Sequence, residues 1–313
     1  MTDLPVIALG HLKITDHLAL GVTLDKLEKK QDTLKHFKLE SRQYRGWNSL
    51  ADDLRQGVIN GAFILAPLAM ELFGAGVKIK LILQGHKSGS CIISNKRANI
   101  KGVQDFKGKT VLIPHYLSIH HLLFHRMLHE QGFEIGVGRD VGSDVTFEVI
   151  APADIPEVME LDKTGSVGGF IVAEPFGSQV IQDGYGEEFS LSKDLWAKHP
   201  CCVLVVQADL IERHPEAVQE LTDSLVASGH FIDKHRDNEV LPISAKFLGQ
   251  SEDVMRHVLN EPADRVVMNE MFPVLADLEY IQEYMTTKIH AMSTKIDLEA
   301  FVDTSFAKKA GAH

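Results

Sequence analysis

The sequence predicts an α/β protein whose sheets are mainly parallel and covered by helices on both faces. Short apolar runs of strand length alternate along the chain with stretches of helical periodicity. The connections between them are short, as in compact α/β units. A length of 313 residues with 44 % hydrophobic and 24 % charged residues suits an ordinary globular chain with room for two α/β lobes.

Phe37–Tyr44 alternates in polarity and is expected to form a strand. Trp47, Leu50, Ala51, Leu54 and Val58 then fall on one stripe of an amphipathic helix, closed by Gly57 and Gly61. Ala62–Leu65 reads as a short buried strand. Pro67 can open the next helix, since a proline in the first turn removes no needed hydrogen bond. That helix stops at Gly74–Ala75–Gly76, and Ile79–Leu83 is again a buried strand.

The rhythm restarts after Gly89, with a strand at Cys91–Ser94, a short helix and turn at Val103–Gly108, and a strand at Thr110–Ile113. A helix is expected from about Ser118 to Gln131, with Ser118 as its N-cap. Val145–Ile150 and Gly169–Val172 are further strands. Beyond Ala208 the chain is expected to be mainly helical, over Pro215–His235, Ser251–Asn260 and Val274–Met292.

A formal charge of −11 argues against nucleic acid or an anionic membrane surface as partner. No apolar run approaches the ~20 residues that span a bilayer. The first ten residues show no basic region or cleavage site of an export signal, so a cytoplasmic protein or a mature form is expected. The three cysteines, Cys91, Cys201 and Cys202, cannot build a disulfide framework. Without a C-x-x-C spacing, the vicinal pair is expected to pack as small hydrophobes.

Several local patterns line up, in order, with one family. Trp47-Asn-Ser-Leu, Leu54-Arg-Gln-Gly57, Gly61-Ala-Phe and Leu65-Ala-Pro67 come first. Asp105-Phe-Lys-Gly-Lys-Thr-Val-Leu-Ile-Pro114, Ser118-Ile-His120, Gly169-Phe-Ile-Val-Ala-Glu174-Pro175-Phe176, His199-Pro200 and the tail Ile296–Lys308 follow. Together they resemble the periplasmic solute-binding proteins of ABC importers for nitrate, bicarbonate and sulfonates. The resemblance implies a type II two-lobed clamp, with residues 1–89 and 203–313 in one lobe and 90–202 in the other. The ligand would lie in the cleft between them. It further implies a small anionic or organic ligand, a membrane permease as partner, no cofactor, a monomer, a periplasmic location and no enzymatic activity.

Two alternatives share the fold: a cytoplasmic ligand sensor controlling a regulatory partner, and an enzyme resembling thiamin-pyrimidine synthases. Cys201–Cys202 is not the cysteine-rich motif of the latter. No Ser/His/Asp order, phosphate loop or H-E-x-x-H string points to an enzyme either.

Carried over position by position, the resemblance places Trp47, Ala66, Pro67, Ser90, His120 and Glu174 at the ligand. Thr15 and Asp16 fit the family's N-terminal pattern, whereas His17 stands where relatives have a small residue. His115 and Tyr116 replace apolar or small residues on the opposite lobe. Free amides of the helix start at Ser118 would suit an oxyanion. A cleft lined by His17, His115 and His120, with Asp16 and Glu174 nearby, would bind an organic acid, a transition metal or a metal chelate. His121, His125 and His129 recur at helical spacing and form a weaker metal candidate, read here as a solvated helix face.

Overall fold

The computed structural model describes residues 4–138 and 142–313. Residues 1–3 of the expected first lobe and 139–141 of the second therefore lie outside the described residues. The first strands are β1 (Val6–His11), β2 (Lys38–Gln43), β3 (Gly61–Leu65) and β4 (Ile79–Gln84). A two-residue strand, β5 (Lys87–Ser88), precedes β6 (Ser90–Asn95), β7 (Thr110–Ile113), β8 (Ile135–Val137), β9 (Val145–Val149), β10 (Val167–Ala173) and β11 (Gly186–Leu191). The chain then returns through β12 (Cys202–Gln207), and β13 (Val266–Val267) pairs with β5.

These strands form two main sheets, ordered β2-β1-β3-β12-β4 and β11-β6-β10-β7-β9-β8. In each, one strand runs against the others: β12 is antiparallel to β3 and β4, and β6 to β10 and β11. These are the two strands reached by crossing from one sheet to the other. Each consequently begins at the edge where the parallel strands end. In open α/β sheets that carboxyl edge is where ligands are held. The fold thus brings residues from strand ends and from the starts of β6 and β12 to one buried region between the two sheets.

The core explains the layering. β3, β10 and β12 are apolar over nearly their whole length and buried on both faces, as central strands covered by helices must be. β2 lies at an edge and reads Lys-Leu-Glu-Ser-Arg-Gln, largely exposed. The long helix Pro215–Lys234 packs against Leu18–Glu28, closing one face of the first sheet around Leu18, Val22, Leu221 and Leu225. A second helix of the C-terminal part, Leu275–Thr287, touches both Ala66–Gly74 and Ile119–His129, and so spans the two sheets.

The sequence-based elements recur closely, with Trp47–Arg55, Ala66–Gly74 and Ile119–His129 as helices and Ser118 accepting a hydrogen bond from the His121 amide. β8, β11 and the helix Val240–Leu248 are elements that sequence periodicity did not single out. Among the described residues, no helix is long and apolar enough to cross a membrane.

Candidate functional site

The shared carboxyl edge gathers a buried polar cluster. Asp16 and His17 lie just beyond β1, His86 just beyond β4, and Cys201 just before β12, all on the first sheet's side. Ser90 opens β6, and His120 sits in the first turn of the helix after β7, on the second. Gln84 fixes the crossing beneath them, its amide donating to the carbonyls of His86 and Cys202. Gly85 is required there, since a Cβ would stand 2.9 Å from the Cys202 carbonyl oxygen. Gly89, at φ +88°, makes the turn into β6 that residues with side chains rarely adopt.

Nε2 of His86 lies 2.8 Å from Oδ2 of Asp16, both side chains fully buried, yet neither oxygen of Asp16 nor either nitrogen of His86 makes a well-directed hydrogen bond. Ligand atoms of Asp16, His86 and Cys201 all fall within 4.8 Å of one another. The Cys201 sulfur is 3.9 Å from Nε2 of His120, which also meets the Ser90 hydroxyl at 2.8 Å. Ser192 donates or accepts at 2.7 Å with His199 Nε2 and accepts from the Ser90 amide. Buried polar atoms also include Nε2 of His17, Nε1 of Trp47 and Nδ1 of His120, none with a hydrogen-bond partner.

Electrostatics separate these groups. Burial would lower the His86 pKa, but the adjacent Asp16 charge outweighs it and holds the imidazole up at about 10. Burial would likewise raise Asp16; His86 keeps its carboxyl below the usual value. A hydrogen bond with Cys202 draws the Cys201 thiol well down against its desolvation, while burial pushes Cys202 up. His17 is held neutral by burial, well below the ordinary histidine value.

The remaining sequence-derived candidates frame this cluster. Thr15 ties the lobes through its amide and hydroxyl, both donating to the Glu174 carbonyl. Ala66 and Pro67 are buried at a helix start, where the Ala66 amide donates to the Cys201 carbonyl. His115 bridges the lobes: Nδ1 accepts from the Leu117 amide and Nε2 stands 3.1 Å from Asn48 Oδ1. Tyr116 is half-buried and gives its carbonyl to His121 Nδ1. The Ser118 hydroxyl caps the helix and donates to the His115 carbonyl. Glu174 is fully buried, but its carboxylate is committed to Ser178 and to Arg265, whose guanidinium also reaches Glu188.

One expectation is corrected in part. Of the three histidines read as a solvated face, His121 is buried, packs edge-on against Phe147 and bonds Tyr116, and half-buried His125 bonds the Tyr284 hydroxyl, while His129 is exposed. The helix Leu275–Thr287 packs against that face at His125, which local periodicity could not foresee. Cys201 and Cys202 pack in the core as expected, and the start of β12 also brings the Cys201 sulfur near Asp16 and His86. His86 went unnoticed in the sequence, and His199 entered only through the His199-Pro200 string, not as a site residue. Their signal was position, each flanking an apolar strand at the cleft edge.

Residues 3–248 match the model of the NMT1-like family. The chain belongs to the NMT1-like family. A solved ligand-binding component of an ABC-type import system from Staphylococcus aureus, with zinc bound, is similar to this NMT1-like chain at 26 % identity and a TM-score of 0.84. The likeness covers 98 % of this chain and 99 % of that one. The periplasmic nitrate-binding protein NrtA of Synechocystis PCC 6803 shares the fold, at 16 % identity, TM-score 0.81, and coverage of 99 % and 89 %. The nitrate import ATP-binding protein NrtC of Synechocystis is 24 % identical over 244 residues, 74 % of this chain and 35 % of that protein. The NMT1-like chain thus spans about a third of the length of the first curated relatives it matches.

Proposed function

We propose that this chain is the solute-binding component of an ABC-type importer, working on the outer side of the membrane and delivering a small ligand to a permease. The observation that carries the reading is the end-to-end likeness to a ligand-binding component of such a system. The proposed lobes are 1–89 with 203–313, and 90–202. Hinges would lie at Gly85–Gly89 and His199–Cys202, where the chain passes between sheets. Closure would then be a hinge motion around a ligand held from both sides, which a transporter reads as a shifted population.

The buried cluster at the cleft is the proposed ligand seat. A recess of about 330 Å³ beside it, between Leu12, Lys13 and Arg45 on one side and Ala153 and Gln179 on the other, would be an approach route. Relatives described by nitrate support a small anion, which Trp47 Nε1, His17 and His120 would have to meet beside a carboxylate and a thiol. The zinc of the S. aureus relative supports a metal instead.

A thermal-shift panel of the full chain with nitrate, bicarbonate, methanesulfonate and Zn²⁺ tests the reading. A ligand at 100 times its dissociation constant should stabilise the fold by about 2.7 kcal/mol and raise the melting temperature. A panel in which nothing stabilises the chain speaks against a small-solute clamp.

A further inference from the structure

We propose that Asp16, His86, Cys201 and His120 form a binding site for a divalent transition-metal ion at the junction of the lobes. The inference rests on the clamp reading and narrows its ligand, because Asp16 and His86 come from the first proposed lobe, Cys201 from the crossing that leads into β12, and His120 from the second lobe.

The donor set points to the ion's class. Thiolate, two imidazoles and one carboxylate suit Zn²⁺ and neighbouring late transition metals, whereas Mg²⁺ and Ca²⁺ want oxygen donors. The donors converge, with Asp16, His86 and Cys201 atoms inside 4.8 Å and Cys201 to His120 at 3.9 Å. Tetrahedral zinc with bonds of 2.0–2.3 Å sets its donors about 3.3–3.6 Å apart. The first three donors therefore need their widest gaps to close by up to about 1.5 Å and the 2.8 Å Asp16–His86 approach to open slightly, with His120 brought in from outside that group.

An independent observation comes from the unmet polar atoms. Both oxygens of Asp16 and both nitrogens of His86 are buried without a directed hydrogen bond, although the two side chains approach to 2.8 Å. A buried carboxylate without such bonds is costly by several kcal/mol, and a close approach with poor angles does not satisfy it. A metal ion between them would replace the His86 proton that now faces Asp16 and would take one atom of each as ligand. An anion in the same place would face the carboxylate and the Cys201 sulfur. Gln84 pins the His86 backbone carbonyl, and an ion at His120 Nε2 would take the place of that nitrogen's contact with the Ser90 hydroxyl.

The test is a cobalt titration of the chelator-stripped full chain. We expect one Co²⁺ per chain, the intense visible bands of tetrahedral cobalt, and a near-ultraviolet thiolate charge-transfer band. Cys201→Ser should lose that band and Cys202→Ser should keep it. Asp16→Asn should weaken binding by more than about 10-fold, the loss that even a supporting residue can cause. Should Cys201→Ser not fold, X-ray absorption of the zinc-loaded native chain should show one sulfur at about 2.3 Å. Octahedral cobalt, no sulfur at the metal, or a charge-transfer band surviving in Cys201→Ser overturns the site. Absent cobalt binding with stabilisation by an anion of the panel overturns the metal and leaves the clamp. Cobalt bound at the thiol with no solute stabilising the fold supports the site and overturns the clamp.

Discussion

His115 shows how a single side chain links the lobes. Its Nδ1 accepts from the Leu117 amide, so the ring proton sits on Nε2 and points to Asn48 across the cleft. Burial, against that bond, lowers its pKa from 6.5 to about 4. Between those values the unfolded chain binds a proton that the folded chain refuses. The contribution is thus full above about pH 6.5 and is lost as pH falls toward 4. His115→Gln, which keeps a donor for Asn48, should flatten the fall in urea midpoint between pH 6.5 and 4.5 relative to the native chain; an equal slope in both would contradict this. At this scale the sequence was partly legible. Motif resemblance brought Asp16, Ser90 and His120 forward, and the structure places them at one cleft edge. His86 and Cys201 carry no local pattern and become meaningful only when the antiparallel β12 folds its start against the ends of parallel strands.

Among the elements, the end of β10 is held by an ion pair. Glu174 and Arg265 meet at 2.9 Å with almost no exposure on either side, and Arg265 joins the end of β10 to the segment leading into β13. Removing one partner of a buried pair leaves the other charge unpaired and costs about 3–5 kcal/mol. Because Glu188 still reaches Arg265, Glu174→Gln should lie near the lower end, about 3 kcal/mol by urea unfolding. A loss below about 1 kcal/mol would show that the pair does not brace the element. A carboxylate at a strand end was visible in the sequence; its partner, 91 residues further on, was not. The apolar strands were easy to read because both faces are buried. β8 is only three residues long, and β11 begins Gly-Glu-Glu, so neither stands out from a loop.

For the whole molecule, the alternation of strand and helix was enough to predict an α/β chain. Two sheets exchanging strands, however, are a long-range property of the crossings. Beside the buried Glu174–Arg265 pair, some contacts between the proposed lobes are modest. The exposed Arg45–Asp154 pair, at 2.6 Å, contributes no more than about 1 kcal/mol, and Gln250–Gln179 is one amide bond. On the proposed clamp reading, a ligand gripped from both sides would add to these contacts and shift the balance between open and closed. Small-angle scattering of the chelator-stripped chain, before and after Zn²⁺, nitrate, bicarbonate or methanesulfonate, tests this most directly. The account predicts a smaller radius of gyration with Zn²⁺ and no contraction by Zn²⁺ in Cys201→Ser. An unchanged radius with all four would contradict the two-lobed clamp as the working principle of this chain.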